Sequence, residues 1–206
     1  MLAEIHHRVK NNLAVVRGLL NMQLHVTTDE TAKATLRESV NRVSAMALIH
    51  QKLYTKDNPD AIDMRKYADD LVKEISSSYH LDGKPEPVIR TEIQDITLTL
   101  VRAVPCGLIL NELLTNAFKH AFPDGKRGII NISIRRKEGL ENHLELIVSD
   151  NGGGMPNNFD PVSSSTLGIT IVESLSEQLD GKFTYESSSQ GTRMIVNFPM
   201  DSPTLK

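Results

Sequence analysis

Three stretches of this sequence hold residues whose types and spacing could do chemistry. In Asn111-Glu112-Leu113-Leu114-Thr115-Asn116-Ala117-Phe118-Lys119-His120, the residues Glu112, Asn116, Lys119 and His120 recur three or four positions apart, so a helix would set them on one face. A carboxylate, an amide oxygen and a cation on one face suit a hydrated Mg²⁺ held together with phosphate, since that ion takes hard oxygen ligands and keeps several waters. Asn116 and Glu112 are the candidate metal positions, with the ion reached directly or through water. Asp150-Asn151-Gly152-Gly153-Gly154-Met155-Pro156 follows an apolar run. Its glycines permit a tight turn and close approach of backbone to a ligand, and Asp150 can accept a hydrogen bond from a nucleobase amine. Leu167-Gly168 and Gly191-Thr192 are weaker signals of the same kind. The third stretch, Glu4-Ile5-His6-His7-Arg8-Val9-Lys10-Asn11-Asn12, pairs two histidines with a basic and amide-rich run. Taken singly, the first cluster also fits a solvated helix face, the second an ordinary Asx-Gly turn and the third a surface histidine.

The elements that must position these residues follow from periodicity. Leu2, Ile5, Val9, Leu13, Val16 and Leu20 form one stripe at a helical period, predicting a helix from about residue 2 to 24. At about 100° per residue, His7 falls opposite the stripe with Asn11 and Glu4, and His6 falls on its shoulder. His7 is therefore wet and His6 half-packed. Val26-Thr27-Thr28-Asp29 supplies a turn with cap residues, and Leu36, Val40, Val43, Ala47, His50 and Tyr54 form a second stripe, with His50 as a core-edge histidine. Two long helices with a short connection make an antiparallel hairpin, whose unpaired stripes a homodimeric four-helix bundle would bury. Lys56-Asp57-Asn58-Pro59-Asp60 ends the hairpin, so residues 1–58 and 59–206 are the expected domains. Beyond it the spacing predicts a helix over 64–79, one or two strands over 88–100, a strongly apolar helix over 104–121, strands over 129–135 and 144–149, a helix over 167–179, and closing strands over 183–186 and 194–198. The fold class is α+β: a helical hairpin, then an α/β sandwich with a mixed sheet on one side and helices on the other.

Composition bounds the function. The 206 residues are 39% hydrophobic and 24% charged, with net charge −3. No apolar run approaches the ~18 residues of a membrane span, which excludes membrane insertion by this chain. Residues 1–58 carry a net charge of +3 and the remainder −6, too little positive charge for a nucleic-acid footprint. The single cysteine, Cys106, sits among apolar neighbours and has no internal partner, so a reducing, cytoplasmic setting is expected. A first helix starting at residue 2 suggests that an upstream segment is absent from this chain.

In their order and spacing the three clusters stop being independent. Asn111–His120 resembles the N box of the GHKL ATPase fold shared by histidine kinases, gyrase and MutL. Asp150–Gly154 resembles its D-x-G-x-G box, and Gly191-Thr192 its final G-T element. With Glu4–Asn12, the chain resembles a sensor histidine kinase of the H-H-R-V-K-N-N subgroup related to the HWE kinases. The resemblance implies a hairpin for dimerisation and histidine phosphotransfer, then a catalytic domain that binds ATP and Mg²⁺. It implies that His7 is the phosphoacceptor, with His6 the alternative, that Asp150 binds the adenine amine with support from Thr192, and that Asn116 ligates Mg²⁺ with Glu112 nearby. Lys119, His120 and the backbone around Gly152, Gly154, Gly168 and Gly191 would approach the nucleotide, and Asn11 could orient a hydrolytic water. The implied partners are a response-regulator receiver domain, a second copy of the chain and a sensor domain outside it. Three departures stand out. Arg8 follows His7 where common histidine kinases place an acidic base, leaving Glu4 and Glu112 as candidates. Thr166-Leu167-Gly168 replaces G-x-G. Only 11 residues separate Met155 from Leu167, a short lid whose one aromatic is Phe159. The rival readings are an ATP-gated interaction module and a serine kinase of the anti-sigma-factor type.

Overall fold

The computed structural model describes residues 2–52, 61–79, 85–123, 127–140, 142–156 and 166–200, without the side chains of residues 2–7 and 52. The expected domain boundary near residue 58 and the lid with Phe159 lie outside the described residues.

The chain opens with α1 (Leu2–Val26) and α2 (Glu30–Lys52). Asp29 ends the connection and caps α2, its Oδ1 accepting from Ala32 N at 2.7 Å. α1 packs along α2, with Leu13, Leu20 and Leu24 half-buried. Its other side keeps Val15, Leu19 and Met22 more than half exposed. α2 is covered on both sides. Leu36, Val40, Val43, Ala47 and His50 are half-buried, whereas the fully buried positions Ala45 and Ile49 join the apolar cluster of the following helices. The expected stripe is thus the shallower of two packed faces.

β1 (Ala61–Asp63) leads straight into α3 (Met64–Tyr79), which Asp63 caps by accepting from Arg65 N and Lys66 N at 3.0 and 3.1 Å. The run predicted as strand over 88–100 divides. β2 (Val88–Ile93) enters the main sheet, while β3 (Thr97–Thr99) pairs with β1 in a separate two-stranded sheet. That small sheet ties together the starts of α3 and α4 (Leu100–His120). β4 (Ile129–Arg136), β5 (His143–Asp150), α5 (Leu167–Gln178), β6 (Lys182–Ser188) and β7 (Gly191–Pro199) follow.

The five-stranded sheet runs β2-β4-β5-β7-β6, parallel only between β2 and β4. Period-two alternation turns one face inward: Ile130, Ile132 and Ile134 of β4, Leu144, Leu146 and Val148 of β5, and Met194, Val196 and Phe198 of β7 are buried. These residues form one cluster with α4's Ile109, Leu110, Leu113 and Leu114, and α5 adds Ile169 and Val172. The result is the mixed-sheet sandwich expected from the sequence. Among the described residues, no helix is long and apolar enough to cross a membrane.

Candidate nucleotide site

A cavity of about 440 Å³ opens between α4, the end of β5, the start of α5 and the start of β7. Its walls are apolar side chains that alternation and helical spacing turn inward: Leu113 and Ala117 from α4, Val148 from β5, Ile169 from α5 and Met194 from β7, with Met155 beyond β5. Asn116, His120, Asp150, Thr166 and Thr192 are the polar side chains among its lining residues. An apolar cavity with a few polar groups in its lining suits an aromatic base carrying polar substituents.

Asp150 is the last residue of β5, and its Oδ1 accepts from Gly152 N at 2.8 Å and from Thr192 N at 3.3 Å. Thr192 therefore supports the carboxylate through its backbone. A carboxylate has about four lone-pair positions, so Asp150 retains acceptor capacity toward the cavity that it lines. Burial raises its pKa above the ordinary 3.8 despite the two N–H bonds. Three glycines allow this turn to form. A Cβ on Gly152 would lie 2.7 Å from the carbonyl carbon of Ala121, at the end of α4. Gly154 has φ +72°, and its Cβ would lie 2.8 Å from the Ser188 carbonyl carbon. Gly191 has φ +129° and lies equally close to Asp150. Asn151 fastens the turn to β4, its Oδ1 accepting from Ile129 N at 2.6 Å.

On α4, Asn116 and His120 reach the cavity, but Glu112 and Lys119 do not. Glu112 is 2% exposed and takes a bidentate pair from Arg42 of α2, Nε to Oε1 and Nη2 to Oε2, each 2.8 Å. Lys119 donates to Glu38 of α2. Gly168 brings α5 against this wall, its Cβ position 3.1 Å from Glu112 Oε2 and 3.7 Å from Asn116 Oδ1. Partial removal of water from the His120 ring, followed by the Lys119 charge, holds His120 below the ordinary 6.5, so it is neutral at pH 7. No group of three or more His, Cys, Asp or Glu that could hold a metal exists among the described residues. The donor set fits a Mg²⁺ carried by phosphates and water and touched through the Asn116 amide oxygen.

Asn11 is exposed on α1. His6 and His7 belong to the same helix, but their side chains, like that of Glu4, lie outside the described residues. Sequence reasoning missed the apolar walls, which no motif flags, and it missed Glu38 and Arg42, whose partners lie in a distant helix.

Fold and cavity define a nucleotide-binding α/β sandwich built onto a helical hairpin. A histidine kinase family model matches residues 4–79, and the model of the histidine kinase-, DNA gyrase B- and HSP90-like ATPases matches residues 102–202. The chain belongs to the histidine kinases, of the HWE-related kind. It is 32% identical over 201 residues to the sensor histidine kinase PdtaS of Mycobacterium tuberculosis, covering 96% of this chain and 39% of that protein. It is 26% identical over 204 residues to blue-light-activated histidine kinase 2 of Erythrobacter litoralis, covering 97% and 57%. The chain thus spans 39% and 57% of the length of these two relatives. The solved histidine kinase domain of an Erythrobacter litoralis blue-light-activated kinase superposes with TM-score 0.72 at 24% identity, covering 97% of this chain and 90% of that one, a likeness of fold.

Proposed function

We propose that this chain is a histidine kinase core that transfers the γ-phosphoryl group of ATP to His7 and then to an aspartate of a response-regulator receiver domain. The observation that carries the proposal is the Asp150 carboxylate, held by two backbone N–H groups in the lining of an apolar cavity fit for adenine. Asn116 and His120 lie on the same cavity wall, and the nucleotide's phosphates would extend along it.

The reaction needs little covalent chemistry from the protein. A ring nitrogen of neutral His7 donates its lone pair to the γ-phosphorus as the bond from that phosphorus to the β–γ bridging oxygen breaks and ADP departs. An imidazole with an ordinary pKa near ~6.5 is largely neutral at pH 7. The proton lost by the ring passes to solvent or to a carboxylate. Arg8 cannot accept it, and both Glu112 oxygens already accept from Arg42. Asp150 orients the base, the backbone at Gly152 and Gly154 closes around it, and Asn116 would hold Mg²⁺. When bound, that ion neutralises phosphate charge.

The hairpin presents His7, with Asn11 one turn on as a candidate for orienting hydrolytic water. The exposed apolar residues Val15, Leu19 and Met22 of α1 favour a homodimer through this helix. A cytoplasmic location, with a sensor segment supplied outside residues 1–206, completes the proposal.

The test is phosphate mapping with γ-labelled ATP. The expected result is an acid-labile, alkali-stable label on His7 that is lost in His7→Gln and chased by a receiver domain. Acid-stable label, or label retained in His7→Gln, refutes the assignment. Nucleotide binding without any label favours the ATP-gated module instead.

A further inference from the structure

The two α4 charges nearest the candidate phosphate wall are both occupied by α2. Glu112 and Lys119 stand one helical turn on either side of Asn116, which lines the cavity. Arg42 grips Glu112 through two 2.8 Å bonds, Asn111 Nδ2 donates to the same carboxylate at 3.0 Å, and Glu38 bridges Lys119 to Arg42, its Oε2 lying 3.4 Å from Arg42 Nη2. The four charges alternate in sign across the α2–α4 contact.

We propose that Glu38 and Arg42 are positioning residues of the ATP site: they hold Lys119 and Glu112 away from the nucleotide, and a shift of α2 releases both charges to it. The proposal rests on the cavity being an ATP site.

Three observations carry it. First, a gripped residue abuts the wall of that site, since Glu112 Oε2 and the cavity-lining Asn116 Oδ1 lie 3.1 and 3.7 Å from where a side chain on Gly168 would begin. Second, α2 is fastened in two different ways along its length. Ala45 and Ile49 are 0% exposed, and Ile49 Cδ1 packs 2.7 Å from the Cβ position of Gly107, so this half is bound by shape and apolar burial. One and two turns earlier the contacts are ionic or polar, including Asn41 Nδ2 donating to Ser78 Oγ at 3.2 Å. Such a helix can pivot on its buried half while exchanging ion-pair partners at the other. Third, the exchange is chemically matched. A nucleotide's phosphates are the natural competitor of Glu38 for the Lys119 ammonium, and Glu112, freed from Arg42, has both carboxylate oxygens open to a new partner.

The experiment measures binding of a non-hydrolysable ATP analogue. Glu38→Gln should bind roughly two- to fivefold more tightly than the unchanged chain, the scale of one part-exposed ion pair. In a Lys119→Met background the same substitution should change nothing. By reciprocity the analogue should loosen the ionic half of α2 in the unchanged chain, raising amide exchange over residues 36–43 and leaving 45–50 as they were. Equal affinity in Glu38→Gln, a gain that persists without Lys119, or no change in exchange on binding overturns the proposal. An unchanged chain that binds no analogue overturns the ATP assignment itself, and this inference with it.

Discussion

Asp150→Asn should separate nucleotide affinity from stability, because the two depend on this side chain with opposite sign. The substitution keeps shape and keeps an amide oxygen that can accept from Gly152 N and Thr192 N, at 2.8 and 3.3 Å in the present structure. What it removes is the anionic acceptor that faces the cavity, and it puts an NH₂ donor there instead. A hydrogen bond to a charged acceptor contributes about 1.5–3 kcal/mol, and a donor left facing another donor costs about 1–3 kcal/mol more. Affinity for an adenine nucleotide should therefore fall by about 2.5–6 kcal/mol, at least ~50-fold. Stability of the ligand-free protein should not fall. Burial disfavours the Asp150 charge and the two N–H bonds do not fully compensate, since its pKa lies above 3.8. A neutral side chain of equal size removes that burden. Titration calorimetry with ATP and thermal unfolding without it test both halves. Affinity within threefold of the unchanged chain would refute base recognition by Asp150. A ligand-free Tm several degrees lower would show that the carboxylate mainly holds the loop.

The same carboxylate sets a pH dependence: the stability contributed by its protonated form is complete below 3.8 and is lost as pH rises through its raised pKa, whereas nucleotide affinity is lost as pH falls through that value. Binding isotherms and melts from pH 4 to 7 should show these opposite trends, and both should vanish in Asp150→Asn. Within the triple glycine, Gly152→Ala should abolish binding and cost about 1–3 kcal/mol of stability or more, because its Cβ meets the Ala121 backbone, while Gly153→Ala, with nothing within 4 Å, should be silent in melting and binding assays. Burial pushes the Cys106 thiol up to about 12, leaving about one thiolate in ten thousand at pH 8, so a disulfide reagent should label the native chain only at the rate of unfolding and the denatured chain at once.

Where local chemistry dictates geometry, the sequence was legible. Ile130, Ile132 and Ile134 alternate because one face of β4 meets the helices, and Asp150 with its glycines forms the turn that their contacts require. The same letters do not reveal that Gly153 is dispensable while its neighbours are not, since that difference is made by Ala121 and Ser188 arriving from elsewhere. The start of α4 was misplaced for a related reason. Leu98 and Leu100 alternate like a strand and the apolar helix is expected from residue 104, yet the helix begins at Leu100. Pro105 withholds one N–H from the carbonyl of Val101, a residue 70% exposed, where water can replace the donor. β1 has only three residues and no period, and only its pairing with β3 defines it.

The second face of α2 was the least legible feature, and it bears most on function. Hydrophobic periodicity finds faces that bury apolar side chains, and it finds Leu36, Val40 and Val43. It is blind to a face whose Glu38 and Arg42 are removed from water against charges 81 and 70 positions away in the chain. Such an interface is a poor source of stability, because desolvating its ions consumes most of what their attraction returns. It is well suited to a contact that must break, since each charge can take a polar partner or water when α2 moves, whereas an exposed apolar face could not. The hairpin is thus held to the nucleotide domain by an apolar anchor around Ile49 and an ionic contact around Arg42. A chain whose proposed acceptor and ATP site must meet and part needs a joint of that composition.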